Sequence, residues 1–356
     1  MLYYILYMFW DQFKAPFSIL APMEGVTDLV FRQVVTKAGR PDIYFTEFTN
    51  SDSYASEAGR PNAMRRLEFL PSEQPIVPQI WGSKPESFAI TSHGLKEMGY
   101  TAVDINTGCP EKNVVKTGGG SGLIKTPDLA AEIIQATKSS GLDVSVKCRL
   151  GFTKVEEYKT WIPHLLKQDV KALTVHLRTR KEMSIPPAHF ELIPDLVRMR
   201  NEIAPETKLV INGDVTNSKM GLQMAEQYGF DGWMIGRGIF KNPFCFRNHE
   251  PTHEELVALL NYHLDIWEMH WLDGRESASL RAMPGELSAG QEDRQGPAVP
   301  PEKESVLRPG PVPFEPLKRF FKIYIHGVRG ASDLRARLME CKDIAQVREI
   351  LDKEEI

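Results

Sequence analysis

Short apolar, β-branched runs recur along the first two thirds of the chain, and most close on a polar residue or a glycine. They cover 17–21, 43–47, 75–80, 102–105, 144–147, 172–176, 208–212 and 232–236. Between them, apolar residues fall at helical spacing over 128–139, 156–167 and 190–203. Thr126-Pro127-Asp128 supplies a cap, a first-turn proline and a first-turn acid for one of these helices. Strand alternating with helix predicts a parallel sheet. Eight strands in roughly 230 residues predict that the sheet closes into a (β/α)₈ TIM barrel.

After Asn242-Pro243 the strand pattern stops. Residues 253–270 read as one amphipathic helix, with Leu256, Leu259, Leu260, His263, Leu264 and Trp267 on one face. Residues 276–313 are rich in Pro, Gly, Ser and charge and predict a flexible insertion. Helical pattern returns over 317–327, 332–339 and 344–353. The expected organisation is an N-terminal extension over 1–14, the barrel over 15–250 and a smaller all-helical C-terminal domain over 251–356.

Polar residues then change the picture. Glu47, Gln79, Asn106, Lys147, His176, Asn212 and Arg237 each fall at or just past the C-terminal end of a predicted strand. In a barrel those ends converge on the face that builds the active site. A lone His176 reads first as a hydrogen-bonded core histidine and a lone Lys147 as a solvated strand end, but seven such residues in register read as a site. The stretch 103–110 ends a buried strand at Asn106 and then presents Cys109 on a loop, with Gly118, Gly119, Gly120 and Gly122 shortly after.

Asn212-Gly213-Asp214 after the seventh strand and Gly236-Arg237-Gly238 after the eighth form a phosphate-binding arrangement. The glycines let backbone N–H groups approach an anion, and Arg237 adds a charged fork. Ala21-Pro22-Met23-Glu24-Gly25 turns at the end of the first strand, where it can line a flat ring faced by Gln79, Lys147 and His176. A planar heterocycle with a phosphate tail fits this set, and flavin mononucleotide (FMN) is the natural candidate. No G-x-G-x-x-G follows a strand, so a Rossmann domain is not expected and a nicotinamide cofactor would visit only transiently. Cys109 then suits general acid catalysis, since hydride added to one carbon of a C=C bond calls for a proton on the other. Cys148 follows Lys147 by one residue and should point out of the site.

Composition narrows the class. A net charge of −4 gives no global basic footprint, so a nucleic acid would need a local patch. The cysteines Cys109, Cys148, Cys245 and Cys341 are scattered with no C-x-x-C pair, which disfavours a zinc site or a disulfide framework and fits a reducing cytoplasm. The apolar start, 1–10, has no basic n-region and is too short for a membrane span, and Met8 offers an alternative start. A cytoplasmic monomer with no metal and no membrane association is expected.

Asn106-Thr107-Gly108-Cys109-Pro110, with Val114, Gly118, Gly120 and Gly122, resembles the signature of the tRNA-dihydrouridine synthases. The resemblance extends through Ala21-Pro22-Met23, Gln79, 147–151, His176, Asn212-Gly213-Asp214 and Gly236-Arg237, over roughly residues 15–250. It implies an FMN-bound TIM barrel that reduces particular uridines in tRNA to 5,6-dihydrouridine, with NADPH recharging the flavin. On that resemblance Cys109 protonates C5 of the uracil as hydride reaches C6. Pro22, Met23, Glu24, Gln79, Lys147, His176, Asn212, Gly213, Asp214, Gly236 and Arg237 would hold FMN. Asn106 and Arg149 would meet the substrate, and Lys318, Arg319 and Lys322, interleaved with aromatic residues, would bind tRNA phosphates from the helical domain. Three other readings stay open: an FMN barrel acting on a small dihydroorotate- or enone-like molecule, a lyase using Lys147 as a Schiff base, and a non-catalytic tRNA-binding barrel. Neither the uridine position reduced nor the choice of NADPH over NADH follows from the sequence.

Overall fold

The computed structural model describes residues 9–272, 313–327 and 329–354. Eight parallel strands follow one another around a barrel: β1 (Phe17–Leu20), β2 (Tyr44–Asn50), β3 (Ile76–Trp81), β4 (Ala102–Asn106), β5 (Asp143–Arg149), β6 (Ala172–His176), β7 (Lys208–Asn212) and β8 (Gly232–Ile235). From β2 to β8 each pairs with the next, and β8 pairs with β1 from Phe17↔Gly232 to Leu20↔Ile235. Ile43, just before β2, closes the ring: its N–H donates to Ser18 O at 3.1 Å, and its carbonyl accepts from Leu20 N at 3.0 Å. Helices such as Leu29–Gly39, Pro127–Lys138 and Ile193–Ile203 fill the connections.

Alternation along the strands sorts side chains to two sides. Leu20, Val103, Ile105, Val146, Cys148, Val175 and Ile211 join the apolar layer shared with the helices. Ile19, Phe45, Val77, Ala102, Ala172, Val210 and Met234 form a second cluster, inside the barrel. Phe9, Trp10, Phe13 and Phe17 belong to that inner cluster, with ring centroids 5.3–6.4 Å apart. The described part of the expected N-terminal extension is therefore built into the barrel core, and its first eight residues lie outside the described ones.

Two strands run more than one residue past the end of their sequence pattern. β2 continues to Asn50 through a register shift against β3 between Phe45 and Phe48, so Glu47 lies inside the strand. β5 continues to Arg149, which puts Lys147 and Arg149 on the same, inner side.

The helix His253–Trp267 opens with a Thr252–Glu255 capping box and packs against Leu29–Gly39. Phe320 stacks on Phe31 at 4.8 Å, and His263 sits edge-on to Phe320 at 5.0 Å. Burial holds His263 neutral, with its pKa lowered to about 3, and its Nδ1 shares a 2.7 Å hydrogen bond with the Tyr324 hydroxyl. These contacts join the C-terminal helices Phe321–Tyr324, Ala331–Glu340 and Ile344–Lys353 to the barrel's outer apolar layer as one core. The insertion expected over 276–313 lies outside the described residues except for Pro313.

Candidate active site at the C-terminal mouth of the barrel

The cysteine loop is held from below by one side chain. Asn106 ends β4, and its Oδ1 accepts from Gly108 N at 3.0 Å and Cys109 N at 2.8 Å, a side-chain mimic of a backbone turn. The Cys109 carbonyl then accepts from Ser121 N at 3.0 Å. Gly120 makes that approach feasible: it sits at φ +54°, and a Cβ there would lie 2.9 Å from Cys109 O and 3.1 Å from Cys109 Cβ. Burial raises the Cys109 pKa, so the thiol keeps its proton at neutral pH.

Beneath the loop the inner positions of β3, β4 and β5 carry a polar chain. Asn106 Nδ2 donates to Gln79 Oε1 at 2.9 Å, and Gln79 Nε2 donates to Asp104 Oδ2 at 2.7 Å. Ser145 Oγ donates to Asp104 Oδ1 at 2.6 Å. Burial raises Asp104 to about 6, against the lowering effect of these two donors and of Lys147. Lys147 is pulled down to about 8, first by burial and then by the charge of Arg149, and its ammonium makes no hydrogen bond to any described residue. His176, at the end of β6, is driven well below its ordinary value by burial and by Arg149 and Lys147, so it is neutral. Its Nδ1 is buried without a partner among the described residues.

Arg149 works as a brace. Its Nε donates to Gly108 O at 2.8 Å, and its Nη1 donates to Thr179 O at 3.0 Å and Met183 O at 2.7 Å. The loop after β6 is thereby tied to the cysteine loop.

On the β7–β8 side, Asn212 Nδ2 donates to Met234 O at 2.8 Å, and the chain turns at Gly213 (φ +110°) and Asp214 (φ 54°). Asp214 accepts from Ala188 N at 3.0 Å, from Arg178 Nη2, and from Arg237 Nη2 at 3.3 Å. The Arg237 side chain is 58% exposed, whereas that of Arg178 is 2% exposed. Arg178 Nε donates to Pro186 O at 2.6 Å, while its buried Nη1, near Gly213, has no partner among the described residues. Gly236 sits over the end of β1: a Cβ there would lie 3.5 Å from Ala21 Cβ and 3.7 Å from Met23 Sδ. Glu24 points to the rim, where it pairs with Arg66 at 2.6 Å.

The structure thus brings Gln79, Asn106, Cys109, Lys147, Arg149 and His176 to one mouth, with Pro22, Met23, Asn212, Gly213, Asp214, Gly236 and Arg237 at the strand ends beside it. The three lobe cations behave differently from one another. Lys318 is buried, paired with Glu315 at 2.9 Å and laid over the Phe314 ring, because its long apolar stem covers the aromatic face. Arg319 and Lys322 are exposed; Arg319 Nη1 donates to Gly25 O, and Lys322 lies 5.2 Å over the Phe240 ring.

Sequence reasoning passed over Asp104, Ser145 and Arg178. The signal for Asp104 was an acid inside an apolar strand at the parity of Asn106, and for Arg178 a cation two residues past His176. Among the described residues no group of His, Cys, Asp and Glu is placed to hold a metal ion, and no helix is long and apolar enough to cross a membrane.

The family model described as Dihydrouridine synthase (Dus) matches residues 19–270. The "Probable tRNA-dihydrouridine synthase 2" of Bacillus subtilis (strain 168) is 49% identical over 346 residues, covering 97% of this chain and 95% of the relative. The "Probable tRNA-dihydrouridine synthase" of Staphylococcus aureus (strain COL) is 48% identical over 347 residues, with the same 97% and 95% coverage. With the family model spanning most of the barrel and these relatives matching nearly end to end, the chain belongs to the tRNA-dihydrouridine synthase family of oxidoreductases.

Proposed function

We propose that this protein is an FMN-dependent enzyme that reduces uridines in tRNA to 5,6-dihydrouridine, with NADPH as a transient reductant and Cys109 as the proton donor. One observation carries the reading: a protonated thiol is fixed on a loop over a barrel mouth whose wall holds an unpaired lysine and a neutral histidine.

The residues fit FMN. Buried donors or acceptors without partners mark where a ligand is expected, and His176 Nδ1 and Arg178 Nη1 are two of them. Pro22 and Met23 at the end of β1, with Gln79, Lys147 and His176, would meet the ring, while Glu24 stands at the rim, paired with Arg66. Asn212, Gly213, Asp214, Gly236 and Arg237, joined by Arg178, would take the ribityl phosphate. Bound FMN, recharged by NADPH, would supply the hydride that reaches C6 of the uracil. Lys147, still largely cationic below its pKa of about 8, would offset negative charge at the ring edge. The Cys109 thiol gives its proton to C5 and regains one from solvent.

For tRNA, Asn106 and Arg149 would shape the pocket around the base. Of Lys318, Arg319 and Lys322, the exposed Arg319 and Lys322 would meet phosphates, while Lys318 stays buried against Phe314 and Glu315. The reaction is placed in the cytoplasm by this reading, in keeping with four unpaired, buried cysteines.

The test is twofold. The purified protein should carry the flavin absorbance band, and tRNA from a strain lacking the protein should lose dihydrouridine at one or more positions. A colourless protein that binds no added FMN, together with an unchanged dihydrouridine map, would overturn the proposal.

A further inference from the structure

Three amide and backbone donations run in one direction under the cysteine loop. Cys109 N–H donates to Asn106, Asn106 Nδ2 donates to Gln79, and Gln79 Nε2 donates to Asp104. An amide side chain can turn over and exchange its donor and acceptor ends, so Asn106 and Gln79 do not fix this direction by themselves. The donor-only N–H groups of Gly108 and Cys109 favour it from the loop end, and a carboxylate fixes it from the other, because when ionised it only accepts. Asp104 is fully buried inside the barrel, and its second oxygen is also met by a donor, Ser145 Oγ. Were Gln79 to turn over, its Oε1 would face the carboxylate and its Nε2 would face Asn106 Nδ2. Asn106 would then have to turn as well, presenting an NH₂ to the Gly108 and Cys109 N–H groups. The loop would lose both hydrogen bonds that hold it.

We propose that Asp104 is a positioning residue: by accepting from Gln79 it sets the direction of the Gln79–Asn106 chain and so fixes the loop that carries Cys109. Asp104 acts through two other side chains and does not itself reach the thiol. Its consequence for catalysis rests on Cys109 being the proton donor, but the positioning can be read from thiol reactivity whether or not that role stands.

The experiment is native alkylation of the purified holoprotein with iodoacetamide, with each cysteine-containing peptide quantified by mass spectrometry. Cys148, Cys245 and Cys341 are buried and act as internal reporters of general unfolding. In Asp104→Ala, a water or an empty space replaces the carboxylate, neither of which dictates direction. Cys109 alkylation should rise about tenfold, the scale set by losing hydrogen bonds that hold the loop closed, with the other three cysteines unchanged. Asp104→Asn should stay closer to the parent, because the amide can turn its oxygen to Gln79 and its NH₂ to Ser145 Oγ. The double variant D104A/Q79E should return toward the parent, since a glutamate at 79 is itself acceptor-only and restores the direction at Asn106. If Asp104 served only as a buried charge near Lys147, D104N would be as perturbed as D104A. Should D104A fail to accumulate as folded protein, Gln79→Met cuts the chain at its middle and should give the same acceleration. Parent-like Cys109 alkylation in D104A or Q79M, or equal acceleration in D104A and D104N, would overturn the proposal.

Discussion

The two ends of the barrel interior use the same strands and the same alternation to opposite ends. At the N-terminal end the inner positions meet Phe9, Trp10, Phe13 and Phe17, which close the barrel with rings. At the C-terminal end, one or two strand steps further along, they carry Gln79, Asp104, Asn106, Ser145, Lys147 and His176. The first end gains free energy from apolar burial. The second spends it, since Asp104 is raised to about 6 and Lys147 lowered to about 8 by the same loss of solvent. Position along a strand therefore assigns a side chain to stability or to chemistry, as expected of a barrel whose sites lie at the carboxyl ends of its strands.

The largest effect that would sharpen this contrast is at the plug. Trp10 is 1% exposed, and Trp10→Ala should cost about 3–5 kcal/mol through lost burial and the cavity left behind. Chemical denaturation should show that loss while flavin affinity at low denaturant stays at the parent value. A variant that keeps parent stability, or that weakens flavin binding while fully folded, would break the division between the two ends.

A smaller effect separates two arginines at the mouth. Arg178→Ala should weaken FMN by about 1.5–3 kcal/mol, because it removes a buried guanidinium whose Nη1 has no other described partner. Arg237→Ala should weaken it less, since that side chain is more than half exposed to solvent. Flavin fluorescence titrations of both variants decide the order, and an equal or greater loss at Arg237 would return the phosphate contact to that residue.

All eight strands were legible because each combines β-branched residues with apolar character on both sides, a pattern few other local structures share. The polar strand ends were legible for the complementary reason that they interrupt those runs. Asp104 was not read as part of the site, because its partners Gln79 and Ser145 are 25 and 41 residues away and only the closed barrel brings them to it. Arg178 lies past β6, where strand periodicity no longer says which way a side chain points. Lys318 reads as an exposed charge in the sequence, yet it folds over Phe314 and pairs with Glu315. The aromatic run before β1 has no period to follow; a single 3-10 turn, Phe9–Gln12, tucks it under the barrel.

The central claim is that the thiol at the mouth supplies a proton and nothing else. The direct measurement is Cys109→Ala compared with the parent for three quantities: bound FMN, the rate of flavin reduction by NADPH, and dihydrouridine formed on tRNA lacking the modification. The account predicts unchanged FMN and unchanged reduction, with dihydrouridine formation slowed about 10²–10⁴-fold, the usual worth of a positioned general acid. Turnover on tRNA close to that of the parent would contradict it.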